Sequence, residues 1–161
     1  MTGVPLVNGS KSARALHRIM SGRRQVTISV GGETSQLDAL CTVLAHLRPP
    51  VVRHVLIPVN DHSAWLREDL RHGFETRGVP CGENVGTSML HTLFLEPVGS
   101  PGPSLRVDLA ETARFTRGRV DLLVWFEPWS FWSTRAARAV EAKQVLVIRG
   151  PGQPGRVRSE E

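Results

Sequence analysis

The sequence predicts an α/β fold: a three-layer, mostly parallel Rossmann-like or flavodoxin-like sheet of about five strands with helices on both faces. Three observations predict it. β-type and α-type segments alternate from Gln25 to Arg149. The connections between successive strand segments are long enough for helical crossovers, which favours parallel pairing of right-handed sense. The run DLLVWFE over 121–127 is almost continuously apolar, as a strand buried on both faces requires.

The elements follow in chain order. Ser10 is placed to cap a short helix over 11–21, with Ala13, Leu16, Ile19 and Met20 on one side and Lys11, Arg14 and Arg18 elsewhere. QVTISV (25–30) is β-branched and stops at Gly31-Gly32, a strand and a tight turn. Leu37, Leu40, Cys41, Leu44 and Leu47 recur at helical spacing until Pro49-Pro50 ends the segment. RHVLIPV (53–59) reads as a second strand. Over 63–76, Trp65, Leu66, Leu70 and Phe74 oppose Arg67, Glu68 and Arg71, a second amphipathic helix closed by Gly78. TLFLEPV (92–98) reads as a third strand, although Met89, Leu90, Leu93 and Leu95 leave a helix open. Val107, Ala110 and Phe115 suggest a weak helix over about 104–116. After the strand at 121–127, Phe131, Trp132, Ala136, Ala139 and Val140 pattern a helix up to Lys143, and QVLVIR (144–149) is the last strand.

The expected organisation is a basic N-terminal arm or helix (1–24), one α/β domain (25–150) and a flexible tail (151–161). The net charge of +5 belongs to the arm, because Lys11, Arg14, Arg18, Arg23 and Arg24 face no acid there, while the remaining fifteen basic residues balance fifteen acidic ones. Attraction to nucleic acid is therefore expected only through residues 1–24, and the plainer role of this helix is to cover a sheet edge or face. Cys41 and Cys81 form no CxxC pair and no cluster of zinc-like spacing, which fits a reduced, cytoplasmic setting without a structural metal. No apolar run reaches the length of a membrane span.

Ligands of open parallel sheets bind beyond the carboxyl ends of the strands, and that rule selects the candidate residues. Gly31, Gly32, Thr34 and Ser35 bring backbone amides and a capping hydroxyl to a helix start, an arrangement suited to phosphate or carboxylate. The turn matches no dinucleotide or P-loop pattern and lacks a lysine of its own. Asn60-Asp61-His62-Ser63 gathers polar groups in one strand-to-helix turn, with Asp61 and His62 as candidate acid and base; turn chemistry alone also accounts for Asn, Asp and Ser here. WFEPWSFW (125–132) holds three of the four tryptophans, and Glu127, Trp129 and Ser130 follow its strand. Aromatic walls with one carboxylate suit a base or nucleoside, and equally suit a protein or homo-oligomer interface through Trp125–Trp132.

The segment 120–149, a strand, a Pro/Ser turn, a helix and then AKQVLVIRG, resembles the closing unit of nucleoside 2-deoxyribosyltransferase-like and TIR-like hydrolase domains. The likeness covers under a quarter of the chain. The carboxylate those families carry on a helix has no matching position, and Arg135 stands where an acid is expected.

The expected function is a module binding a small molecule, nucleotide- or nucleoside-like, with Gly31, Gly32, Thr34 and Ser35 around an anionic group, Trp129 on a ring and Glu127 on its polar edge. Two alternatives stand beside it. One is a hydrolase or transferase acting at a glycosidic or phosphoryl bond, with Glu127 or Asp61 as acid/base. The other is an interaction subunit using the tryptophan run and the basic arm. No cofactor is named by the sequence.

Overall fold

The computed structural model describes residues 10–31, 36–47, 52–59, 65–85, 90–96, 104–110, 119–127 and 140–150. Within these the chain runs α1 (Lys11–Met20), β1 (Gln25–Ser29), α2 (Gln36–His46), β2 (His54–Pro58), α3 (Trp65–Thr76), β3 (Cys81–Val85), β4 (Leu90–Leu95), β5 (Leu105–Ala110), β6 (Arg119–Glu127) and β7 (Glu141–Arg149).

Local chemistry sets the helix ends. Ser10 Oγ accepts from the Ala13 amide at 3.0 Å, satisfying one of the unpaired amides of the first turn of α1. The helix stops at Gly22, whose φ of 85° is open to glycine without strain. The turn is closed by the Arg23 amide on Arg18 O at 3.1 Å. Gly78, at φ 70°, ends α3 in the same way, with the Val79 amide on Phe74 O at 2.9 Å.

The strands form one seven-stranded sheet in the order β1-β7-β6-β2-β5-β4-β3. The five strands from β1 to β5 in that order are mutually parallel. β5, β4 and β3 form an antiparallel meander at the far edge. This corrects the expected architecture: the protein has a sheet-dominated α/β fold with a seven-stranded mixed sheet, and it is not a three-layer, five-stranded Rossmann-like domain.

Particular residues account for the difference. CGENV, too polar to read as a strand, is β3, held by pairing with β4 from Cys81↔Leu95 to Val85↔His91. The segment read as a helix over 104–116 begins as β5, because Leu105, Val107 and Leu109 alternate onto the core face. Glu141, Ala142 and Lys143, read as the end of a helix, open β7 and pair with β6, starting at Arg119↔Glu141. The ambiguous 86–98 stretch contains strand β4.

All three described helices share one core with one face of the sheet. Ile19, Leu40, Leu44, Leu70 and Phe74 pack there with alternate strand residues such as Ile28, Ile57, Val124 and Ile148. α2 lies between α1 and α3 and touches both. That position explains its seven buried residues and an apolar surface wider than one stripe. On the opposite face Leu56, Ala110 and Leu123 form a smaller cluster with Val120 and Val140. Helices on both faces, as the sequence suggested, are not found among the described residues. None of these helices is long and apolar enough to cross a membrane.

Polar side chains, Gln36 and Gln144 of them buried, tie these elements together. Gln144 donates to Ile19 O at 2.9 Å and Arg23 O at 2.7 Å, fastening the end of α1 to β7. Gln36 Nε2 donates to Ile148 O at 3.0 Å, fastening the start of α2 to the same strand. Asp121 on β6 accepts from the Arg53 and His54 amides at 2.8 and 3.1 Å, which aligns the start of β2.

Candidate functional site

The candidate residues follow three strands, β1, β2 and β6, and β7 lies between β1 and β6 in the sheet. The four strands β1-β7-β6-β2 are contiguous and all parallel, so their carboxyl ends form one rim. Ser29, Arg149 and Glu127 stand in register across β1, β7 and β6 on that rim. Between β6 and β2 the chain diverges: after β2 it proceeds toward the β3 edge, and after β6 it turns to β7 on the other side. Such a divergence between neighbouring parallel strands opens the crevice in which α/β sheets hold ligands.

Of the named residues, Gly31 is described and follows Val30, whose amide donates to Arg149 O at 2.8 Å. Glu127 ends β6 by its backbone, and its side chain lies outside what is described. Gly32, Thr34, Ser35, Asp61, His62, Trp129 and Ser130 lie outside the described residues. Gly150, just past β7, is tightly enclosed, because a Cβ there would stand 2.8 Å from Val30 Cγ2 and 3.0 Å from Gln36 Cγ. Only glycine lets α2 approach the rim this closely.

Lys11 reaches the same rim from α1. Its Nζ donates to Ser29 O at 2.7 Å. A cation thus stands at the end of the strand whose following turn carries no lysine of its own.

Two polar groupings escaped the sequence reading. On the face away from the helices, buried Asp108 of β5 accepts from three strands' worth of donors. His54 Nε2 lies 2.6 Å from Oδ2, while Thr92 Oγ1 and Arg106 Nε reach Oδ1 at 2.6 and 3.1 Å. Burial raises the Asp108 pKa, but the hydrogen bonds from His54, Thr92 and Arg106 outweigh it and hold the carboxyl below the ordinary aspartate value. His54 and Arg106 pair across β2 and β5, and Arg106 pairs with Phe94 of β4, which is the large apolar side chain most exposed among the described residues. An imidazole oriented by a buried carboxylate is the base half of a catalytic dyad. Thr92, the neighbouring hydroxyl, donates to the carboxylate and is not bonded to the ring, so the grouping as seen acts first as a cross-strand tie. The signal available in the sequence was an arginine and an aspartate two residues apart, on one strand face, in the hexad LRVDLA.

The second grouping is at the start of β4. His91 Nδ1 is buried and lacks a hydrogen-bond partner among the described residues. Burial and the nearby Arg67 guanidinium hold this imidazole below its usual pKa. Arg67 and Arg71 of α3 both bond Glu83 of β3, and that pairing, led by the Arg67 hydrogen bond, lowers the Glu83 pKa. Arg67, Arg71 and Glu83 brace α3 against the meander.

Compared with protein-family models, curated proteins and solved structures, the chain matches none.

Proposed function

We propose that this protein binds a small anionic ligand, nucleotide- or nucleoside-like, in the crevice at the carboxyl rim of β1, β7, β6 and β2. One observation carries the reading: β1, β6 and β2, which precede the turns at 31–35, 128–130 and 60–63, lie with β7 in one run of parallel strands that includes the point where the chain diverges. Turns that are far apart in sequence thereby leave one rim. In this reading the Gly31-Gly32 turn with Thr34 and Ser35 receives the anionic group, helped by the cationic Arg149 at the neighbouring strand end. Trp129 stacks on the ring and Glu127 accepts from its polar edge.

The test is equilibrium binding of a panel of nucleosides and nucleotides to the full chain. Glu127→Gln and Trp129→Ala are each expected to weaken the best binder about tenfold or more, as expected for loss of a charged hydrogen bond or a stacked ring. Unchanged binding of every panel member in both variants would refute the proposal.

A further inference from the structure

Between α1 and the edge strand β1 lies a second concave site, outside the rim crevice. Its volume is about 230 Å³, several times the roughly 30 Å³ of a water molecule. Lys11, Arg14 and Arg18 line one wall, Thr27 and Ser29 the other, and Ala15 its floor.

The sequence makes this wall cationic by construction. Lys11, Arg14 and Arg18 recur at the i, i+3, i+7 spacing of one helical face, while Ala15 and Ile19 are buried. Among the described residues no carboxylate lines the groove, and the first turn of α1 contains no acidic residue. The β1 wall supplies donors. β1 is the last strand of the sheet on its side. Its even-numbered neighbours turn their backbone toward β7, as the Val145 amide on Arg24 O and the Val30 amide on Arg149 O show, both at 2.8 Å. In a parallel ladder the alternate residues then face away, which turns the backbone amides and carbonyls of Thr27 and Ser29 to the open edge. Lys11 already occupies the Ser29 carbonyl. The amides of both residues remain at that open edge.

From Lys11 to Arg18 the helix rises about 10 Å at roughly 1.5 Å per residue. A row of this length is matched by several successive phosphate groups better than by one. We infer that the groove between α1 and the free edge of β1 binds a linear chain of phosphate groups lying along the helix. Arginine forks suit successive phosphate oxygens, and the lysine adds a point charge at the rim end. The inference does not rest on the rim crevice, since Arg14, Arg18 and Thr27 take no part in that reading.

The experiment is calorimetric titration of the full chain with inorganic tripolyphosphate, orthophosphate and ATP at two salt concentrations. Tripolyphosphate is expected to bind at least tenfold more tightly than orthophosphate, and its affinity should fall as salt rises. Arg18→Gln and Lys11→Gln should each weaken it at least fivefold. Arg119→Gln, at an exposed cation near the start of β6, should leave it unchanged. Because Lys11 and Arg18 are exposed, both variants are expected to keep the wild-type circular dichroism. ATP binding like tripolyphosphate identifies an inorganic chain as sufficient, and tighter ATP binding identifies a nucleoside polyphosphate; both support the site. Equal affinity for orthophosphate and tripolyphosphate, or an Arg18→Gln/Lys11→Gln double variant that binds as the wild type does, overturns it.

Discussion

His54 Nε2 stands 2.6 Å from Asp108 Oδ2, so the first residue of β2 is bound to the middle of its neighbour β5 through side chains as well as through the ladder. The same carboxylate takes Thr92 from β4. Three strands, two parallel and one antiparallel, are locked at the place where the sheet changes sense.

Replacing Asp108 by Ala is therefore expected to cost about 1–3 kcal/mol, because the buried Thr92 hydroxyl loses its acceptor while His54 and Arg106 can turn to water. The sign of the pH dependence follows from the lowered pKa of Asp108. The folded state favours the ionised form, so its stabilisation is complete above the unfolded aspartate value of about 3.9 and fades as pH falls below it. Urea unfolding at pH 7 and at pH 3 should show the wild type losing stability in acid, with Asp108→Ala losing less. Equal losses in the two proteins would contradict this role.

Gly73→Ala on α3 reverses a familiar rule. An exposed helical glycine gains up to about 1 kcal/mol on becoming alanine. Here the added Cβ would stand 2.8 Å from the Sγ of buried Cys41 on α2. We expect a loss of roughly 1–3 kcal/mol from overpacking. Cys41→Ala in the same chain should recover part of it, giving a favourable coupling in a double-mutant cycle. Additive losses would show that the contact is not the cause.

Thiol labelling should divide the two cysteines. Burial pushes the Cys41 thiol up to about 12, and burial followed by Glu83 pushes Cys81 up to about 11. At pH 8 only about one Cys81 in a thousand is then ionised, so reaction with a disulfide reagent is slow. Cys81 is partly exposed and Cys41 buried. One thiol is expected to react slowly in the native protein and the second only as denaturant opens the core. Two fast thiols at pH 8 would be inconsistent with this packing.

Gln144→Leu should loosen α1 without unfolding the sheet. It leaves Ile19 O and Arg23 O without the side-chain donor each now has, at an expected cost of about 1–3 kcal/mol. Amide exchange should accelerate at Gly22 and Arg23, and remain slow in β6. Unaltered exchange at the α1 end would mean that apolar packing of Ile19 alone holds the helix.

How much of this was legible in sequence depended on whether the decisive partner was near. Leu40 and Leu44 declared α2, and the DLLVWFE run declared β6, because helical spacing and unbroken apolarity are properties of a segment alone. Asp108 became acceptable inside a strand only through Thr92 and His54, which lie 16 and 54 residues away. Nothing local in LRVDLA reports them, and Val107 with Ala110 fitted a helix as well. CGENV owes its extended form to β4, and Glu141 owes its form to β6. Strand order decided which turns share a rim, and order is a property of pairing across the whole chain. For the candidate turns, only the strands they follow could be named from sequence, and which of those strands are neighbours could not.

The pairing of β1 with β7 also governs timing. Gln25 meets Val145, a partner 120 residues further along, and β2 cannot complete its environment before β5 and β6 exist. On a ribosome, the first strand waits with its β7-facing backbone unpaired until almost the last described residue has emerged. Contacts closed over such distances slow folding, and an unpaired strand is open to wrong partners meanwhile. Moving the break point of the chain, so that β7 is followed directly by α1 and β1, turns the slowest pairing into a local one and is a direct way to ask whether that delay limits the yield of folded protein.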